Sequence, residues 1–256
     1  MTMAYLHREN KPALAYIHQP ASPERENLPL VIFCGGYRSD MQGTKAQYFE
    51  EQCATRGQAY LRFDYSGHGQ SEGIFENCTI GDWLEDALAI LDHGLKQHSG
   101  KVLVIGSSMG GWIALLLAEY RPEALCGLIG IAAAPDFTED MFAQRLTPEQ
   151  QKTLMETGIV AVENDYSDEP YHFSKSFYQE AKNHLLLDKP QNPPCPIHLF
   201  QGKQDADVPW QTAVKIQKCY GEKNVEITFI EDGDHRLSRP QDLAQIDSAI
   251  RKASGV

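Results

Sequence analysis

Three residues of this chain have the types and the chain order of a hydroxyl nucleophile, an orienting acid and a base. Ser108 lies in "GSSMG" (106–110), Asp205 in "HLFQGKQDADVPW" (198–210) and His235 in "FIEDGDHRLS" (229–238). A serine hydroxyl attacks poorly until a base removes its proton. An imidazole titrating near neutrality can take that proton and later return it to a leaving group. A carboxylate beside it fixes the tautomer and stabilises the imidazolium. The chemistry expected of such a set is acyl transfer to water.

Only Ser108 fits the centre of G-x-S-x-G, because Ile105 and Met109 would flank Ser107 in the other frame. The reason for the glycines is steric. A sharp turn from a strand into a helix brings its two limbs together, and side chains two residues either side of the serine would collide. The serine is then expected in an unfavourable backbone conformation above the sheet edge, with the amides of the next helix aimed at any anion formed there. Asp207 and Asp234 compete with Asp205 for the acid. Asp205 is preferred because it stands three residues after Gly202, whereas Asp207 abuts Val208-Pro209.

A developing oxyanion needs donors. The expected pair is the backbone N–H of Met109, next after the nucleophile, and that of Tyr37 in "CGGYRSD" (34–40), where two glycines let the main chain come close.

These residues need a scaffold that ends strands at one edge. Continuous apolar runs at 28–36, 58–66, 102–105, 125–135, 195–202 and 225–232 read as central strands covered on both faces. Between them lie helical patterns at 44–57, 79–100, about 108–121, 210–220 and beyond Pro240. Thr79 is the expected N-cap of the second, with Asp82 three residues on. The opening reads as a hairpin around "ENKP". Alternating strands and helices imply an α/β architecture: a mostly parallel central sheet with helices on both faces. Residues 136–194 break the rhythm, with helical patterns, several aromatics and no clear buried strand. They are expected to form a small inserted helical cap, leaving 1–135 and 195–256 as the core domain.

The totals agree with this scheme. The 256 residues suffice for one large α/β domain. A net charge of −12 argues against general affinity for nucleic acid or anionic membrane. Six scattered cysteines without C-x-x-C suit a reducing compartment, and "MTMAYLHREN" lacks a signal-peptide core. No apolar run approaches the roughly 20 residues needed to span a bilayer. A cytoplasmic location is therefore expected. The histidines lack H-x-x-x-H spacing and the glycines do not form G-x-G-x-x-G, so neither a metal nor any other cofactor is expected.

The chain resembles the α/β-hydrolases over its whole length. "RFDYSGHGQSEG" (62–73) is similar to that family's Asp-x-x-Gly-x-Gly-x-Ser loop, and Asp64, Gly67, Gly69 and Ser71 are read as turn-holding residues. "GYRSDMQGTKA", "GSSMGGW", "CPIHLFQGKQDADVPW" and "DHR" resemble more closely the branch that holds a mitochondrial acyl-protein thioesterase, also associated with acyl-glucuronide hydrolysis. The resemblance puts Ser108, Asp205 and His235 on the family's nucleophile, acid and base. The implied reaction is cleavage of small-molecule or acylated-protein esters or thioesters through an acyl-enzyme.

Phe137, Met141, Phe142, Tyr171, Phe173, Phe177 and Tyr178 are available to line an acyl pocket, although aromatics more often pack a cap against its core. Phe142, Phe177 and Trp210 are the expected substrate contacts. Two other readings compete. A serine peptidase or amidase would require a site for a charged terminus. A catalytically silent binding module would usually have lost one of the three residues.

Overall fold

The structure, a computed structural model, describes residues 2–163 and 170–256. The chain opens with β1 (Ala4–Arg8) and β2 (Lys11–Gln19), then β3 (Leu30–Cys34), α1 (Thr44–Thr55), β4 (Tyr60–Phe63), α2 (Ile80–Gln97), β5 (Val102–Ser107), α3 (Met109–Tyr120) and β6 (Leu125–Ile131). An insertion follows. It holds α4 (Phe137–Asp140), which runs on as a π turn over Met141–Arg145, then α5 (Pro148–Thr157), β7 (Ile159–Val162), β8 (Tyr171–Ser174) and α6 (Lys175–Ala181). The chain closes with β9 (Ile197–Gly202), α7 (Gln211–Tyr220), β10 (Val225–Ile230) and α8 (Pro240–Ser254).

Eight strands form one sheet in the order β1-β2-β4-β3-β5-β6-β9-β10. The hairpin β1–β2 and its junction with β4 are antiparallel, and the remaining pairs are parallel. The parallel strands therefore end on one edge, which is where the candidate residues must gather.

The continuous apolar strands divide their side chains by the two-residue period. Leu30, Ile32, Cys34, Val102 and Val104 face a core shared with Trp83, Ile90 and Leu91 of α2 and Trp112 and Leu116 of α3. Val31, Phe33, Leu103 and Ile105 face the opposite core, with Phe49 of α1 and Leu243, Ile246 and Ile250 of α8. At roughly 25 cal/mol per Å² of apolar surface removed from water, this double coverage is the main stabilising term of the fold. Thr79 caps α2 as expected: its hydroxyl accepts from the Asp82 N–H, and the Asp82 carboxylate accepts from the Thr79 N–H at 3.0 Å.

The insertion differs from the helical expectation in one respect. Besides its helices it contains the antiparallel ribbon β7–β8. Each of these strands buries one residue, Val160 and Phe173. β8 (YHFS) has no apolar run, and the short run of β7 (IVAV) is exposed at Ile159 and Ala161 instead of being covered on both faces.

Candidate active site

Gly106 ends β5 against the first turn of α3. A Cβ on Gly106 would overlap the Gly110 carbonyl, and one on Gly110 would overlap the Cys34 and Gly35 carbonyl oxygens. Between them Ser108 takes φ 54°, ψ −120°, a conformation that costs an L-residue about 1–3 kcal/mol. The surroundings hold it there. Its N–H donates to the Ile131 carbonyl at 2.9 Å, and its carbonyl accepts from the N–H groups of Gly111 (2.8 Å) and Ala134 (3.1 Å). Ser107 is a strand residue and is buried, whereas the Ser108 side chain faces the neighbouring loops.

His235 meets that hydroxyl from the loop after β10. Its Nε2 lies 3.1 Å from Ser108 Oγ, and its Nδ1 lies 2.9 Å from Asp205 Oδ2. The structure thus brings together the three residues expected from the sequence, from three loops at the same sheet edge. Asp205 is fully enclosed, at 0% side-chain exposure against 19% for His235. Its carboxylate accepts from the N–H groups of Asp207 (2.9 Å) and Val208 (2.8 Å) and from Gln201 Nε2 (3.0 Å). The rivals are employed otherwise. Asp234 accepts from the Leu237 N–H at 3.0 Å, and Asp207 lies 3.6 Å from the Arg145 guanidinium.

Asp205, Asp207 and His235 also place donor atoms within 4.8 Å of one another, a spacing compatible with a metal ion. The Asp205 oxygens, however, already accept three donors besides facing the imidazole, so the group reads as a hydrogen-bonded relay.

The two expected oxyanion donors belong to the first residue of α3 and to the loop that follows β3. Among the described residues no acceptor in the chain takes the N–H of Met109 or of Tyr37. The glycine loop passes close by: a Cβ on Gly36 would stand 3.4 Å from Ser108 Cβ. The turn is closed by the Ser39 N–H and hydroxyl, which donate to the Gly36 carbonyl at 3.1 and 2.8 Å.

A cavity of about 1220 Å³ opens over Ser108 and His235. Its apolar wall includes Tyr37, Phe137, Met141, Val162, Tyr171 and Phe173, and its polar wall includes Arg38, Lys45 and Arg145. Three expected substrate contacts lie elsewhere. Phe142 stacks on Tyr178 at 4.5 Å. Phe177 is buried behind the wall against Trp83 and Phe173. Trp210 packs edge-on to Phe229 beside β10, with Lys203 over its ring. Each of them satisfies its apolar surface by packing, which no spacing rule distinguishes from lining a cavity.

Sequence reasoning also missed the polar supports. Lys45 Nζ donates to the Arg236 carbonyl at 2.6 Å, next to His235, and burial pulls its ammonium down to about 8 against the opposing effect of Asp234. Arg145 reaches from the insertion to the carbonyls of Ala206 and Asp207. Asp136 accepts the N–H groups of Leu186 (2.9 Å) and Leu187 (2.8 Å), tying the two ends of the insertion together. All three bonds join segments far apart in the chain, so no local pattern announces them.

The Asp64 loop acts as the turn-holder expected. The Asp64 carboxylate accepts from the N–H groups of Met41 (2.6 Å) and Gln70 (2.8 Å), and a Cβ on Gly69 would overlap it. Cys34 is enclosed at the end of β3, just before the glycine loop, and burial pushes its thiol up to about 12. Among the described residues no helix is long and apolar enough to cross a membrane.

A family model described as "Serine aminopeptidase, S33" matches residues 25–164. The human palmitoyl-protein thioesterase ABHD10, mitochondrial, is 36% identical over 260 residues, covering 100% of this chain and 82% of the human protein. The solved structure of α/β-hydrolase domain-containing protein 10 from mouse superposes with a TM-score of 0.88 at 36% identity, covering 99% of this chain and 100% of the mouse chain. A chain from Agrobacterium vitis S4 superposes at 0.91 with 37% identity, covering 99% and 98% of the two chains.

Proposed function

We propose, for a chain that belongs to the serine aminopeptidase S33 family and folds as an α/β-hydrolase, a serine-hydrolase reaction on carboxylic esters or thioesters. The observation that carries it is the continuous contact from Asp205 Oδ2 through His235 to Ser108 Oγ, at 2.9 and 3.1 Å. His235 Nε2 takes the hydroxyl proton as Ser108 attacks the acyl carbon. The carbonyl oxygen becomes an oxyanion, which the N–H groups of Met109 and Tyr37 receive. Collapse breaks the acyl C–O or C–S bond: an alcohol leaves with the proton held on His235, or a thiolate leaves and His235 then gives its proton to the thiolate or to solvent, and an acyl-enzyme remains with His235 neutral. Water attacks it by the same route, with His235 as base, and releases the acid.

The named relatives act on palmitoyl-protein thioesters, and the apolar wall of the cavity supports an acyl chain here too. We therefore favour acylated small molecules or proteins as substrates, seated under residues 136–194 as a cap. A thiolate leaves with little help from an acid, so a thioester suits this site at least as well as an ester. We keep a cytoplasmic location as part of the proposal, read by cell fractionation, although the relatives are named as mitochondrial.

The test is labelling by a fluorophosphonate, followed by turnover of p-nitrophenyl esters, acyl-thioesters and amino-acid p-nitroanilides of graded size. Labelling abolished in Ser108→Ala, with ester and thioester turnover exceeding that of anilides, supports the reading. Turnover of the anilides alone replaces it with the amidase reading, and an unlabelled, inert protein with a silent binding module.

A further inference from the structure

Tyr37 has two sides with different employment. Its backbone N–H follows Gly36, which passes close to Ser108, and has no acceptor among the described residues, whereas its ring is the hub of an aromatic cluster. Six rings surround it within 6.0 Å between centroids: Phe75, Trp83, Phe137, Tyr171, Phe173 and Phe177. Phe75 and Trp83 belong to the core, and the other four to the insertion. Phe173 of β8 stacks on the Tyr37 ring at 5.5 Å and 12°.

The next residue repeats the pattern. Arg38 sits at φ 55°, in the left-handed region that favours glycine. Its guanidinium is held over the Phe75 ring at 4.3 Å and the Tyr171 ring at 5.2 Å, and pairs with Glu76 at 3.1 Å. A backbone conformation of this kind persists where its surroundings over-determine it. Half of the rings holding Arg38, and four of the six around Tyr37, come from the insertion.

We propose that the insertion, through Phe173 and Tyr171, is a positioning element of the oxyanion hole: it fixes the Tyr37 ring and the Arg38 guanidinium, and through them the direction of the Tyr37 N–H. The inference rests on the oxyanion role proposed above for that N–H. The Tyr37 N–H shares its peptide plane with the Gly36 carbonyl, which the Ser39 N–H and hydroxyl hold. The angle between that plane and the Tyr37 Cβ is set by φ alone, so a fixed ring leaves the held plane little room to turn. When the ribbon is displaced, Tyr37 loses its stacked partner and Arg38 one of its two rings, and the turn at 36–39 relaxes. The hole is complete only with the insertion seated. Contact between a substrate and the same rings then couples binding to transition-state stabilisation.

The experiment uses the full chain with Phe173→Ala, Tyr171→Leu and Phe173→Leu, assayed on p-nitrophenyl acetate and p-nitrophenyl decanoate. The acetyl group is too short to use the far wall of the cavity. Phe173→Ala and Tyr171→Leu are expected to lower kcat by about tenfold on both esters and by the same factor, well short of deleting a donor outright. Phe173→Leu recovers most of the loss. A trifluoromethyl ketone, whose adduct carries an oxyanion, loses affinity by that factor too. A loss that grows with acyl length and spares the acetate overturns the proposal, since the rings then serve only as a wall. Tyr171 is half-buried, so its variant gives the answer if Phe173→Ala fails to fold. Failure of the underlying reading is recognised separately, by turnover persisting in Ser108→Ala.

Discussion

Gly106 and Gly110 face each other across the turn that carries Ser108, so close that a Cβ on Gly106 would overlap the Gly110 carbonyl. Every atom in the way is backbone and has no rotamer to give. Overpacking by one methyl typically costs about 1–3 kcal/mol, and a backbone clash belongs at or above the top of that range. Gly106→Ala and Gly110→Ala are each expected to lower the Tm by several degrees and to abolish fluorophosphonate labelling. Thermal melts and in-gel labelling check both, and wild-type labelling in either variant contradicts the steric account.

The acid is distinguished by substitution. Asp205→Asn keeps the shape but exchanges an acceptor for a donor next to His235 Nδ1, which imposes the wrong tautomer. The expected loss in kcat is about 10⁴-fold, the order found where this exchange has been made in a Ser-His-Asp site. Asp234 is exposed and caps the Leu237 N–H, so Asp234→Asn keeps its acceptor and is expected to cost less than about fivefold. Steady-state kinetics on one ester separate the two, and equal losses would remove Asp205 from its assigned role.

His68 is enclosed among Tyr65, Phe75 and Trp83, with its Nδ1 3.3 Å from the Ser66 carbonyl. Burial pulls its imidazole down to about 4 from the ordinary 6.5. Between these values the unfolded chain binds the proton and the folded chain does not, so stability falls as pH falls through the interval. At roughly 1.4 kcal/mol per pH unit, the linked loss reaches roughly 3 kcal/mol by pH 4. His68→Phe fits the aromatic surroundings and is expected to flatten that part of the curve. Urea midpoints at pH 7, 6 and 5 for the two proteins measure it, and parallel curves would refute it.

Asp136 stands at φ 59° where the insertion begins, and its buried carboxylate takes two N–H groups from where the insertion ends. Asp136→Ala leaves both donors buried without partners, at about 1–3 kcal/mol each. The expected outcome is a loss of roughly 2–5 kcal/mol by urea unfolding. Asp136→Asn keeps one acceptor oxygen and should lose less than half as much. A neutral Asp136→Ala would mean that the insertion is held by other contacts.

Part of the site was legible because its causes are local. The frame of G-x-S-x-G selected Ser108 over Ser107 by sterics alone, and the clashes at Gly106 and Gly110 are the ones that argument requires. The strand-ending positions of Asp205 and His235 followed from apolar runs, and Thr79 from its capping pattern. The cavity wall was not legible in the same way. Phe142, Phe173 and Phe177 are chemically alike and belong to the same insertion. Which of them faces the cavity depends on how the ribbon and α6 turn against Tyr37, and nothing within a few residues records that.

The sequence by itself determined the alternation of strands and helices outside the insertion, the corner at Ser108 and the three residues expected at the sheet edge. Those follow from periodicity and sterics, which act over a few residues. Tertiary structure alone decided that Asp205 is the enclosed carboxylate, that Lys45 and Arg145 brace the loops beside His235 and Asp205, and that the insertion packs its rings around Tyr37. The physical reason is range: hydrogen bonds and ring contacts between segments 61 to 191 residues apart depend on the packed arrangement of both, and neither segment carries that arrangement in its own pattern.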